Sequence, residues 1–193
     1  MANGTSKITK KFVLYLDASV LVSFLDAESD SICELLSLCR KKDVEINVSP
    51  FTIMESLNIK QEHKFFNKKV AEGMSLRHIL SNRDKRDLTH KDLKDIYDII
   101  RRKLKPYEME TFYDPEDRNW WKLALNIVRD SNINSADALH LALSIFLDCN
   151  ILVTTDTFFI EQGNRYIKEK LSNEDLIICL PEQARDIIKV SKN

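Results

Sequence analysis

Asp17, Glu55, Asp137 and Asp156 are the residues best suited to chemistry in this chain, because each stands beside a core that should end in an uncharged group. Asp17 closes the apolar run Phe12-Val13-Leu14-Tyr15-Leu16, and Asp156 follows Ile151-Leu152-Val153-Thr154-Thr155. Glu55 lies just beyond Ile46-Asn47-Val48-Ser49, and Asp137 opens a helix-like segment. An ionised carboxylate next to a core must be hydrated, paired or bound to a cation. Four oxygen donors suit Mg2+ or Mn2+, hard cations that keep several waters and engage phosphates, over Zn2+, which prefers His or Cys. Cations held there would acidify a water and neutralise charge on a phosphodiester, so metal-assisted hydrolysis is the chemistry to expect.

For the four to meet, the chain must bring distant segments to one rim. Residues 12–16, 44–48, 151–154 and 176–180 read as short strands, several of them apolar throughout as in a sheet buried on both faces. Residues 18–25, 29–42, 116–130 and 181–189 read as helices, with Ile32, Leu35, Leu36 and Cys39 at helical spacing in the second. Ser49-Pro50 starts a helix that carries Glu55, and Ser135 is placed to cap the helix that carries Asp137 and His140. Strands alternating with helices predict an α/β fold, a three-layer α/β/α sandwich around a parallel sheet of four to five strands. Ligands of such sheets sit beyond the carboxyl ends of the strands.

Composition narrows the classes further. With 193 residues and 44% apolar content, the chain can build one domain over residues 12–193, behind a flexible lead at residues 1–11. No apolar run is long enough for export or membrane spanning, which predicts a soluble, cytoplasmic protein without a membrane partner. Cys33, Cys39, Cys149 and Cys179 lack the spacing of a zinc site or a disulfide scaffold, and Cys149 and Cys179 read as core residues. Only three glycines are present and none forms a phosphate loop, which argues against P-loop nucleotide binding. The net charge of −1 hides an asymmetry: residues 60–105 carry 14 Lys or Arg against 7 Asp or Glu, and the remainder 15 against 23. This basic middle, read as a helical insertion over about residues 60–115, suits either a polyanion or simply solvated helices.

The acidic positions and their surroundings resemble the PIN-domain nucleases, many of which are toxin ribonucleases of toxin–antitoxin pairs. The resemblance lies in Leu16-Asp17-Ala18-Ser19, Glu55 in its early helix, Ser135-Ala136-Asp137-Ala138-Leu139-His140, and Thr154-Thr155-Asp156-Thr157-Phe158-Phe159. It implies that Asp17, Glu55, Asp137 and Asp156 form the metal site, with Ser19, Ser135 and Thr155 orienting ligands or water. It also implies Mg2+- or Mn2+-dependent cleavage of single-stranded RNA, frequent homodimerisation and, for a toxin, a small antitoxin in the acidic cleft. The long middle departs from the compact family pattern.

The leading expectation is therefore a metal-dependent endoribonuclease. Its substrate would be held through phosphates by Lys60, Lys64, Lys68, Lys69, Arg77, Arg83, Lys85, Arg86, Arg101, Arg102 and Lys103. The alternatives are a catalytically silent RNA-binding or assembly subunit of the same fold, and a Mg2+ phosphotransfer enzyme such as a small phosphatase. The latter would want a second acidic residue close to Asp17, which Asp17-Ala18-Ser19 lacks. His140, three residues after Asp137, reads as a packing or hydrogen-bonding residue, and the adjacent Trp120 and Trp121 as helix-packing residues.

Overall fold

The computed structural model describes residues 12–26, 29–84, 86–107, 110–111, 119–171 and 175–191; the lead expected at residues 1–11 lies outside them. Five strands form one sheet: β1 (Val13–Leu16), β2 (Glu45–Val48), β3 (Glu110–Thr111), β4 (Ile151–Val153) and β5 (Ile177–Cys179). Their order is β3-β2-β1-β4-β5 and every pairing is parallel. Four of these strands fall where the apolar runs predict them. β3 does not: it lies in the stretch read as helical, and its two residues are too few to impose a pattern on the sequence.

Alternation along the strands sends side chains to two separate cores. Leu14 and Leu16 join Ile46, Val48, Ile151 and Val153 on one face. That face is covered by α1 (Ala18–Asp26), α2 (Asp30–Lys41) and α9 (Pro181–Val190). Val13 and Tyr15 join Leu152 and Ile178 on the other, under α6 (Asn119–Asp130), α7 (Ser135–Phe146) and α8 (Thr157–Lys170). The result is a three-layer α/β/α sandwich, in which period-two alternation assigns each strand residue to a layer. Cys39, Cys149 and Cys179 are buried, and burial pushes their thiols up to about 12, so they act as inert core residues.

The basic middle is a helical arm. α3 (Pro50–Ala71) starts at the rim, where Ser49 Oγ accepts the Thr52 N–H at 3.0 Å, and runs unbroken past Lys60. α4 (Leu76–Ser81) packs back on it, and α5 (His90–Leu104), opened by a Thr89/Asp92 capping box, returns towards the body. There Ile96 and Ile100 enter the first core. Lys103 Nζ donates to the carbonyls of Phe24 and Leu25 at 3.3 and 2.9 Å, satisfying the carboxyl end of α1. Lys60 pairs with Asp26 at the same end.

One local expectation needs correction, and another is untested: α6 is described from Asn119, and its expected start at Glu116 lies outside the described residues. Of the tryptophan pair, Trp120 packs against the second core but Trp121 is 50% exposed, because one residue along a helix turns the side chain by about 100°. Among the described residues, no helix is long and apolar enough to cross a membrane.

Candidate metal centre

β1 lies at the middle of the sheet, and the chain proceeds to β2 on one side and from β4 to β5 on the other. The crevice beyond the carboxyl ends of β1 and β4 is thus the topological switch point, where parallel sheets bind ligands. Asp17 is the first residue past β1 and Thr154 the first past β4, and the Asp17 N–H donates to Val153 O at 3.0 Å.

Asp17 is only 6% exposed and is held by a shell of donors. The Ala18 N–H donates to Oδ1 at 2.6 Å, while Ser19 Oγ and Thr154 Oγ1 donate to Oδ2 at 2.8 and 2.7 Å. Opposite stands His140, whose Nε2 lies 3.1 Å from Asp17 Oδ1 and 2.9 Å from Glu55 Oε2. Carboxylate oxygens facing Nε2 can only accept, so Nε2 carries the hydrogen. The other ring nitrogen, Nδ1, is hydrogen-bonded to Tyr15 Oη at 3.0 Å. Tyr15 in turn donates to Ser49 Oγ at 2.8 Å and lies 3.0 Å from Thr52 Oγ1. Burial raises the Tyr15 hydroxyl well above the usual phenol range, so it stays protonated.

Asp137 sits in the first turn of α7, one turn before His140. Its carboxyl is pushed up to about 6, first by burial and then by the Asp17 and Asp156 carboxylates, with Glu55 adding and His140 opposing. Asn134 Nδ2 donates to Asp137 Oδ2 at 2.7 Å. The same Asn134 caps the helix, its Oδ1 accepting the N–H groups of Ala136 and Asp137 at 2.9 and 3.0 Å. Ser135 is therefore the first helical residue rather than the cap: the amide one position earlier reaches the free N–H groups, and Ser135 is exposed. Asp156 caps α8, its Oδ1 accepting from Phe158 and Phe159 N–H at 2.8 and 3.0 Å. Thr155 contributes through its backbone, donating to Ser19 Oγ at 3.2 Å.

The four sequence-derived acids thus fall on one rim as mutually repelling charges. Among the described residues, no Lys or Arg forms an ion pair with any of them. Ligand-capable atoms of Asp17, Glu55 and His140 all lie within 4.8 Å of one another. Clustered carboxylates with a histidine among them but no Lys or Arg partner fit a hard divalent cation. Sequence reading had His140 as a packing or hydrogen-bonding residue, which its contacts bear out, but missed Tyr15, Thr154 and Asn134 as members of this group. The usable signal was position: Tyr15 and Thr154 each stand two residues before an acid.

Most of the candidate phosphate contacts are otherwise engaged. Lys64 pairs with Asp92 at 3.5 Å, Lys69 with Asp87 at 2.8 Å and Glu72 at 3.0 Å, and Lys68 with Asp87 at 3.7 Å. Arg83 and Arg86 face Glu62 at 3.6 and 3.8 Å. Arg77, Arg101 and Arg102 are exposed, and Lys85 lies outside the described residues. A polar cleft of about 320 Å³ between the end of α6 and α8, floored by Tyr166, is lined by none of the four carboxylates.

No family model matches the chain, and no curated protein matches it. Among solved structures it is similar to a chain of VapBC2 from Rickettsia felis, crystallised bound to a DNA fragment from their promoter. The superposition has a TM-score of 0.53 at 13% identity and covers 88% of this chain and 98% of that one. At that identity the likeness is one of fold alone, a parallel sheet flanked by helices.

Proposed function

We propose that this protein is a PIN-type, metal-dependent endoribonuclease acting on single-stranded RNA, with Asp17, Glu55, Asp137 and Asp156 as its cation-holding residues. The observation that carries the reading is the proximity of these acids around the switch point, where among the described residues no Lys or Arg pairs with any of them. A bound Mg2+ or Mn2+ would supply Lewis acidity towards the phosphodiester and a more acidic water.

The chain's own residues supply the rest. Ser19 and Thr154 orient Asp17 through its Oδ2, leaving its Oδ1 towards Glu55 and His140. Asn134 fixes Asp137, whose carboxyl holds a proton up to a pH of about 6 when no cation is bound. Asp156 is anchored by its own helix cap, so its second oxygen is the one available to a ligand. In this reading residues 12–193 work as one domain, and the helical arm presents Arg77, Arg101 and Arg102 to the phosphate backbone. The assembly of VapBC2 with promoter DNA supports, for this chain, the toxin side of a toxin–antitoxin pair.

Incubation of the protein with an end-labelled single-stranded RNA, with Mn2+ or Mg2+ and with chelator, tests the proposal. Internal cleavage that needs the metal and disappears in Asp17→Asn is the expected result. RNA binding without metal-dependent cleavage would instead make the chain a silent binding or assembly subunit.

A further inference from the structure

We propose that His140, fixed in place by Tyr15, is the positioning residue that holds Glu55 against Asp17 and so preassembles the cation site; this rests on the metal-dependent reading above. The two carboxylates are held unequally. Asp17 is held by Ala18, Ser19 and Thr154 and would keep its place without help. Glu55 comes from a different element, α3, with a side chain that is 30% exposed, and among the described residues its only hydrogen-bond partner is His140 Nε2. Two carboxylates repel, and a long flexible side chain gains freedom by leaving. The His140 N–H, shared between Glu55 Oε2 and Asp17 Oδ1, is what opposes both tendencies.

The ring that does this is itself immobilised. His140 is 1% exposed, packs against the Phe51 ring at 5.0 Å and meets the Tyr15 ring edge-on at 5.8 Å. Tyr15 Oη engages Nδ1, and Ser49 and Thr52 engage Tyr15 Oη. The contacts close a circuit: the start of α3 to β1, β1 to α7, and α7 back to Glu55 on α3 and Asp17 beside β1. Packing does not account for it, since Phe at position 15 and Leu at position 140 would fill the same apolar space without burying polar groups. Nε2 faces two carboxylates from different elements, which makes His140 part of the acidic site as well as of the core. Partners in this outer layer typically change metal affinity by about 10–100-fold.

The test uses the full chain, freed of metal by chelation. Mn2+ affinity is measured by calorimetry, alongside the thermal unfolding midpoint, for the wild type, His140→Leu, His140→Gln and Tyr15→Phe. Leucine removes the donor and should weaken Mn2+ binding by about 10–100-fold. Glutamine offers an amide N–H towards the carboxylates and should restore affinity to within a few-fold of wild type. Tyr15→Phe leaves Ser49 and Thr52 able to pair with each other at 3.0 Å but strips Nδ1 of its partner, so it should lower the midpoint and bind Mn2+ with an intermediate loss. A merely structural role would lower midpoints and leave the affinity of the folded protein alone. Wild-type affinity in both His140→Leu and Tyr15→Phe overturns the proposal, as does equal weakness of the Gln and Leu variants, which would make His140 a direct ligand. A wild type that binds no Mn2+ removes the metal-dependent reading and this inference with it. Binding in the wild type with unchanged variants removes only the inference.

Discussion

Thr154 Oγ1 donates to Asp17 Oδ2 across 2.7 Å, tying the end of β4 to the end of β1 at the one place where the sheet changes direction. The same oxygen accepts the Asp156 N–H at 3.1 Å, so one buried hydroxyl orients two of the four acids. Thr154→Val keeps the shape and deletes both bonds, leaving the part-buried Asp156 N–H without this acceptor and the buried Asp17 Oδ2 with only Ser19 Oγ as donor. The metal-free protein should lose about 1–3 kcal/mol of stability, while Thr154→Ser should lose much less. Denaturant unfolding in chelator measures this, and equal midpoints for Val and Ser would remove the orienting role.

The raised Asp137 carboxyl carries a stability consequence whose sign is fixed. Its folded pKa, about 6, lies above the ordinary 3.8, so between these values the native state holds more protons than the unfolded state. Stability from this group is therefore greatest at low pH and declines as pH rises from about 4 to about 6, then levels off. Solvent screening of a partly exposed carboxyl reduces the change to about 1 kcal/mol. The difference between wild type and Asp137→Asn, followed by urea unfolding against pH in chelator, should shrink as pH falls through this window. A pH-independent difference would contradict it.

Cation binding should oppose the same repulsion. Mn2+ or Mg2+ at 100 times its dissociation constant should stabilise the native state by about 2.7 kcal/mol. Because a ligand carboxyl must be deprotonated, the thermal shift should diminish as pH falls below about 6, the range in which Asp137 takes up its proton. A metal-induced shift of the same size at pH 5 and pH 8 would place Asp137 outside the site.

Asn134 and Ser135 give a direct contrast at the start of α7. Asn134 accepts two backbone N–H groups and also holds Asp137, whereas Ser135 is exposed. Asn134→Ala should cost about 1 kcal/mol and Ser135→Ala close to nothing. Reversal of that order by thermal denaturation would restore Ser135 as the cap.

The arm separates available from committed cations. If Arg101 and Arg102 each meet a phosphate, their joint replacement by Gln should flatten the dependence of log affinity for single-stranded RNA on log salt by about 1.4. Lys69→Gln, which removes a partner of Asp87 and Glu72, should leave that slope nearly unchanged. Filter binding over a salt series distinguishes the two outcomes.

Local pattern was enough for the strands β1, β2, β4 and β5 and for the helices that follow β1, β2 and β5, but it did not mark α8, the helix after β4; it also singled out the four acids as candidates. Short apolar runs ending in a carboxylate are a conflict visible without coordinates, because burial and ionisation oppose each other wherever the chain goes. β3 escaped because two residues carry no period, and Trp121 because adjacent helical positions differ only in which neighbour they meet. Asn134 rather than Ser135 caps α7 for a similar reason: both residue types cap well, and backbone geometry selects between positions one residue apart.

Apart from Ser19, which the sequence already set beside Asp17, the hydrogen-bonding partners in the site became visible only with the fold. Tyr15, Ser49, Thr52 and His140 are unremarkable in order along the chain, and Tyr15 and His140 are 125 residues apart. Hydrogen bonds act over about 3 Å, so their partners depend on which elements the sheet order makes adjacent. The basic middle tells the same story with charge: its excess of Lys and Arg is a property of composition, but pairing with Asp26, Glu62, Asp87 and Asp92 is a property of how α3 and α5 fold against their surroundings. Residue type thus marked where charge had to be compensated, and tertiary proximity selected the groups that compensate it.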